Sequence, residues 1–356
     1  MVMRKILGII FLIFVLTNAA TAQTFQEGVA QFENGDYESA LQTFQKLKST
    51  DRSNPEVYFY AGRSQFEQDE LKKAVKEFEK AAELNSGNSY YYMWLGHSFG
   101  RQAQNASILQ QAGLARNSRK NYEKAIELDP NNIEARESAI EYYLQAPRFL
   151  GGGRSKAELQ ATALEKIDTE AGTIAWGRIY TYYDEVEIAE YHYKTAIEQH
   201  PEIMGSHYQL FNFYFNQAKY STAADIALQQ LQVNDTTAVI YHNLGNAQQR
   251  YNLFDQALEN YMKALELDEN FSSSFYQIGR LAAVSGDHLE TGKLYINKFI
   301  ALENEVSDSF MAWAYFRLGT IEEHQNENEN AMRAYQSALE FDSDHEEARL
   351  ALNALK

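Results

Sequence analysis

The chain has 356 residues, is 45% hydrophobic, and carries four prolines, nineteen glycines and no cysteine. That is the composition of a folded protein, and it excludes disulfides, thiolate metal sites, cysteine nucleophiles and a lipid anchor on an N-terminal Cys. A formal net charge of −17 argues against a general nucleic-acid binder and against docking on anionic lipid, since both need a basic surface.

Met1 to Ala22 has a basic start at Arg4 and Lys5 and an apolar run from Ile6 to Leu16 broken only by Gly8. A small-x-small site follows at Ala20-Thr21-Ala22. This is the layout of a cleaved secretory signal peptide, with Gln23 as the first mature residue. The alternative is a membrane anchor, but eleven residues (Ile6–Leu16) make about 16 Å of helix against roughly 30 Å of hydrocarbon. No other stretch is long and apolar enough to span, so no transmembrane segment is expected after cleavage. Removing Arg4 and Lys5 from the 32 basic residues leaves 30 against 49 acidic ones, a mature charge near −19.

From there the chain repeats. Tyr241–Asp268 is the cleanest copy: Leu244-Gly245 in a first helix, a turn at Asn252-Leu253, then Ala257, Tyr261 and Ala264 on one face of a second. In chain order the equivalents of Gly245 are Gly28, Gly62, Gly96, Ile140, Gly177, Phe211, Gly245, Gly279 and Gly319, spaced 34, 34, 44, 37, 34, 34, 34 and 40. Seven of the nine are glycine, where chance would supply roughly half of one, so the period is real. A second row is small: Ala40, Ala74, Ser118, Ala157, Ala189, Ala223, Ala257, Thr291 and Ala331. Large aromatics follow four residues later in most units: Phe44, Phe78, Tyr122, Tyr193, Tyr261, Tyr295 and Tyr335. Glycine inside a helix costs about 1 kcal/mol relative to alanine, so these glycines mark places where a partner helix comes close. One helix pair cannot bury its apolar face alone; stacked pairs can.

The pattern W-x2-L-G-x2-Y, A-x3-F, A-x2 and a closing Pro resembles the tetratricopeptide repeat. The residues that carry the likeness are Leu95-Gly96-x2-Phe99, Leu244-Gly245, Ala74-x3-Phe78-x2-Ala81, Ala257-x3-Tyr261-x2-Ala264, Ala331-x3-Tyr335-x2-Ala338, Pro130 and Pro201. The likeness spans about residues 24–343. It implies an all-α, right-handed α-solenoid of about nine helix-turn-helix units whose concave groove, lined by first helices, binds peptides or proteins. The expected organisation is a signal peptide at 1–22 and a solenoid at 23–343. Its units lie near 24–54, 55–88, 89–132, 133–168, 169–202, 203–236, 237–270, 271–308 and 309–343. A capping helix follows at 344–356, with Glu346, Glu347 and Arg349 keeping its outer face wet. The leader and the absence of cysteine fit an exported bacterial protein, periplasmic or secreted.

Three departures stand out. The third unit has about ten extra residues after Gly96, which read equally as a longer first helix or a loop. The fourth turns through Ala146-Pro147-Arg148-Phe149-Leu150-Gly151-Gly152-Gly153, where Pro147 stops one helix and the glycines allow a tight loop. The eighth is followed by a longer link, Ala301 to Ser309.

On the first helices, the residue after the Leu-Gly site and the one four earlier share a face. Arg63, His97, Glu141, Arg178, Asn212, Asn246, Arg280 and Thr320 occupy the later row, and the earlier row includes Glu137, Tyr208, His242 and Tyr276. Arginine, asparagine and aromatic residues suit an extended peptide, offering donors for its carbonyls or carboxylates and rings for its apolar side chains. The candidate groove contacts are Arg178, Tyr208, Asn212, His242, Asn246, Tyr276 and Arg280. The competing role for them is pairing with nearby acids or packing between units. No P-loop, H-E-x-x-H, nucleophile elbow or Gly-rich nucleotide loop is present, so no enzyme activity, cofactor or metal is expected. The expected function is a non-enzymatic protein- or peptide-binding scaffold. The alternatives are a structural subunit of a cell-envelope assembly and a glycan- or cell-wall-binding module.

Overall fold

The computed structural model describes residues 24–302 and 306–356. The expected leader, residues 1–22, lies outside the described residues. The described chain is an all-α solenoid of consecutive helix pairs, without a strand among the described residues. It divides into two compact units, one up to His192 and one from Tyr193.

The first unit contains α1 (24–33), α2 (Tyr37–Thr50), α3 (Pro55–Glu67), α4 (Leu71–Leu84), α5 (Ser89–Gln104), α6 (Ile108–Leu128), α7 (Ile133–Gln145), α8 (Arg154–Ile167) and α9 (Thr169–Tyr182). The boundary falls within α10 (Val186–Gln199). The second unit contains α11 (Met204–Asn216), α12 (Tyr220–Val233), α13 (Ala238–Arg250), α14 (Phe254–Leu267), α15 (Ser272–Ser285), α16 (Leu289–Ile300), α17 (Asp308–His324), α18 (Asn328–Phe341) and α19 (Glu346–Ala354). α19 buries Ala348 and Leu352 against the last hairpin and leaves Glu346, Glu347 and Arg349 exposed, as a cap requires. First helices also touch the next first helix: α3 with α5, α5 with α7, α7 with α9, then α13 with α15 and α15 with α17. They therefore crowd together on one side of each stack.

The tight turn inside most hairpins is built the same way, the exceptions being the turns after α5 and α7. A residue in the left-handed region recurs at Gly35, Asp69, Asp184, Ala218, Asn252, Gly286 and Asn326. In six of them the next residue's N–H donates to the carbonyl five residues back: Asp36 to Gln31, Glu70 to Gln65, Glu185 to Tyr180, Lys219 to Tyr214, Leu253 to Gln248 and Glu327 to Glu322. This closing bond satisfies carbonyls left open at a helix C-terminus.

The glycine row has a specific partner. A Cβ placed on Gly28, Gly62 or Gly245 would lie 2.7–2.8 Å from ring atoms of Phe44, Phe78 or Tyr261. Gly96 and Gly319 meet Tyr122 and Tyr335 in the same way. Each glycine is thus a notch, and the aromatic four residues past the small residue is the knob that fills it. Where the notch is lost, volume is exchanged. Ile140 and Phe211 are buried, and the knob positions hold the buried alanines Ala161 and Ala227.

Two expectations change. The extra residues of the third unit form neither a loop nor mainly a longer first helix. α5 has 16 residues, and α6 has 21 where most second helices have 14. In the eighth unit the notch at Gly279 is filled by Ile296, not Tyr295, and the small residue is Gly292, not Thr291. His288 caps α16 in the left-handed region (φ 54°), and the face of α16 is advanced by one residue. Tyr295 stacks on Phe275 instead (centroids 5.7 Å apart).

Candidate functional site

In the first unit, α3, α5, α6, α7 and α9 line an open cavity of about 930 Å³. Both irregular units build it. The lengthened α6 supplies Gln111 and Ala115, and the turn after α7 supplies Ala146, Pro147 and Leu150. Tyr142 steadies that turn by donating to the Leu150 carbonyl (3.0 Å).

Glu134, Glu137 and Glu141 stand along one face of α7, three and then four residues apart, and line the cavity with Arg178 of α9. Arg178 Nη2 donates to Glu141 Oε2 at 2.9 Å, and its Nη1 lies 3.9 Å from Glu137 Oε1. Burial raises the Glu137 pKa above its ordinary value; Arg178 opposes the rise, while Glu134 and Asp168 add to it. On the α5 side His97 Nδ1 and the Tyr122 hydroxyl are 3.0 Å apart. Burial, helped by the charge of Arg63, pushes the His97 imidazole down to about 4, and burial pushes the Tyr122 phenol up to about 12. At neutral pH His97 and Tyr122 are therefore polar and uncharged; beside Arg101 of α5 they face a row of carboxylates on α7. Ser118 and Ser138 donate to the backbone carbonyls of Gly96 and Glu134 (2.8 and 2.7 Å). Among the described residues no three His, Asp or Glu side chains converge as a metal site would need. The arrangement suits reversible binding of a polar or charged side chain.

In the second unit the candidates occupy α11, α13 and α15. Tyr208 of α11 is exposed and Asn212 is half-buried. His242 of α13 is buried, with Nδ1 3.0 Å from Ser274 Oγ and rings of Tyr261 and Phe271 on either side. Burial pushes its imidazole down to about 4. Asn246 Oδ1 accepts from the Tyr261 hydroxyl at 2.9 Å. Gln249 Oε1 lies 2.9 Å from the same hydroxyl and 3.5 Å from Arg280 Nη1, so Asn246 and Arg280 are joined through one buried network. Arg280 also donates to Gln277 Oε1 (3.2 Å). Tyr276 packs on Phe299 and on the exposed Phe310.

Three tetratricopeptide repeat models match the chain, at residues 25–89, at 238–271, and at 103–132 with 314–345. The chain belongs to the tetratricopeptide repeat family. Among solved structures, a thermophilic tetratricopeptide repeat protein of Thermus thermophilus is 17% identical with a TM-score of 0.46, the match covering 55% of this chain and 99% of that one. A tetratricopeptide repeat protein from Parabacteroides merdae is 14% identical with a TM-score of 0.48, covering 71% and 95%. YrrB, described as a tetratricopeptide repeat protein with an unusual peptide-binding site, is 20% identical with a TM-score of 0.45, covering 54% and 97%. A search of curated proteins finds no match.

Of the sequence candidates in this tetratricopeptide repeat protein, only Arg178 lines the cavity. His97, Glu137 and Glu141 of the same rows join it, together with Glu134, Ser138 and Gln145, which lie three or four residues away on α7. The signal that could have found them is the coincidence of two irregular units side by side in the chain. In the second unit Gln249, which links the Tyr261 hydroxyl to Arg280, lies outside the rows, three residues from Asn246. No described helix is long and apolar enough to cross a membrane.

Proposed function

We propose that this chain is an exported, non-enzymatic scaffold that holds a segment of a partner protein against the first helices of its repeats. The observation that carries the reading is the cavity of about 930 Å³ on the first-helix side of α5, α7 and α9. It is wide enough for one or two side chains of an extended peptide, and its carboxylates and Arg178 offer charge-assisted hydrogen bonds to them. Export rests on the basic start, apolar run and small-x-small site of residues 1–22. N-terminal sequencing of the exported protein should begin at Gln23, and a retained Met1 leader would contradict cleavage.

The binding reading is tested by selecting peptides from a displayed random library against the mature chain. Ser138→Trp then places an indole in the cavity from the solvent side of α7. Enriched peptides are expected to bind this variant roughly tenfold or more weakly, a loss of about 1.4 kcal/mol or more, with the thermal midpoint unchanged. Equal binding to the variant would place the contact surface elsewhere.

A further inference from the structure

The first helices of the second unit carry a cluster of arginines without carboxylate partners. Arg250 of α13, Arg280 of α15 and Arg317 of α17 have no carboxylate within ion-pair distance among the described residues, in a chain whose net charge is −17. Aromatic faces hold two of them. Arg250 lies over Phe215 and Tyr220 (6.0 and 5.8 Å), and Arg317 over Trp313 and Phe316 (5.0 and 5.2 Å). Burial lowers the Arg280 pKa, and the charges of the nearby Arg250 and Arg317 add to it; the phenols of Tyr261 and Tyr276 oppose them, and no carboxylate does. Beside Arg280, Gln249 is only 5% exposed. Its carbonyl oxygen is engaged by Tyr261 and Arg280, while its Nε2 is buried with no partner. Arg317 Nε is buried without a partner as well. A buried amide donor left unmade costs about 1–3 kcal/mol, and clustered like charges add to that cost. One group relieves both: an anion with several acceptor oxygens.

We propose that Arg250, Arg280, Arg317 and the Gln249 amide form a site for the side-chain carboxylates of an acidic segment of a partner protein. The proposal rests on reading the first helices as the binding surface, and it names what this part of that surface takes. Guanidinium groups pair with carboxylates through paired, charge-assisted hydrogen bonds. Tyr276, one turn before Arg280, and the exposed Phe310 against it extend the site with an apolar lip for residues between the acids. A long phosphate backbone is disfavoured by the acidic remainder of the chain.

The test uses the mature chain and a fluorescent peptide alternating Glu with Leu. Its N-terminus is blocked by the dye and its C-terminus amidated, so that side chains are its only carboxylates. Fluorescence polarisation should show binding that weakens with salt and disappears when Gln replaces Glu. Arg280→Gln with Arg317→Gln should weaken it roughly tenfold or more. Arg250→Gln, at an exposed position, should weaken it severalfold and carries the test if the double variant does not fold. Ser138→Trp should leave it unchanged. Absent binding, or equal binding to Arg250→Gln and the double variant, would overturn the proposal. So would competition by inorganic phosphate for the same arginines with no affinity for the peptide, which would mark a free-anion site. Library peptides that lose affinity on Ser138→Trp while the acidic peptide fails to bind would sink this proposal alone; failure of both would sink the scaffold reading with it.

Discussion

Tyr261→Ala is expected to lower the unfolding free energy of the second unit by about 3–5 kcal/mol, the range for emptying a buried aromatic site. Tyr261 is fully buried, its ring fills the notch at Gly245, and its hydroxyl meets Asn246 and Gln249. Urea unfolding at neutral pH measures the loss. Gly245→Ala should cost about 1–3 kcal/mol through overpacking, because the new methyl would sit 2.7 Å from the ring. In the double variant the ring clash is gone, leaving only the Ala257 carbonyl 3.1 Å from the new methyl, and alanine regains about 1 kcal/mol of helix propensity. The glycine substitution should therefore turn from harmful to neutral or favourable once the ring is removed. Additive effects of the two substitutions would contradict the notch-and-knob packing.

Acidification should destabilise the second unit through His242. The imidazole is buried against Ser274, Tyr261 and Phe271, and burial holds its pKa at about 4 against an ordinary 6.5. The folded form therefore releases its proton where the unfolded chain keeps it. Stability from this group is fully present above pH 6.5 and falls as pH drops from about 6.5 towards 4. The total is roughly 3 kcal/mol, because each pH step of one between the unfolded and folded values is worth about 1.4 kcal/mol. His97 acts in the same direction in the first unit, where burial and Arg63 lower its pKa to about 4. His242→Gln keeps a group able to meet Ser274 but cannot titrate. Its urea midpoint should be lower than the parent's at pH 7 and should change less between pH 6.5 and 4.5. Parallel pH profiles for parent and variant would show that His242 is not the titrating group.

The stacking of helix pairs was legible because one steric requirement, a ring entering a glycine notch, recurs with one period. The same requirement hid the eighth unit. There the left-handed cap at His288 advances α16 by one residue, so Ile296 enters the notch at Gly279 and Tyr295 turns to Phe275. Nothing in a 34-residue spacing records a shift of one. The added residues of the third unit could be counted but not placed, since they favour helix and either helix of the pair could take them. For the site, period gives which face a residue occupies and not what the next hairpin brings against it. Arg178 could be placed on the first-helix face, but its pairing with Glu141 depends on how α7 and α9 dock. The burial of His242 likewise depends on Phe271 and Ser274 of the following hairpin. The donor cluster at Arg280 was half visible. Two row positions per helix included Arg280 and left out Gln249, Arg250 and Arg317, which lie on the same helices one turn away.

The most direct measurement is amide hydrogen exchange across the mature chain, with and without a library-selected peptide. Added protection is expected on first helices, chiefly α5, α7 and α9 around the cavity and α13, α15 and α17 around Arg280, with second helices other than the cavity-lining α6 unchanged. Protection confined to second helices such as α4, α12 and α14, or to the capping helix α19, would contradict binding on the first-helix face.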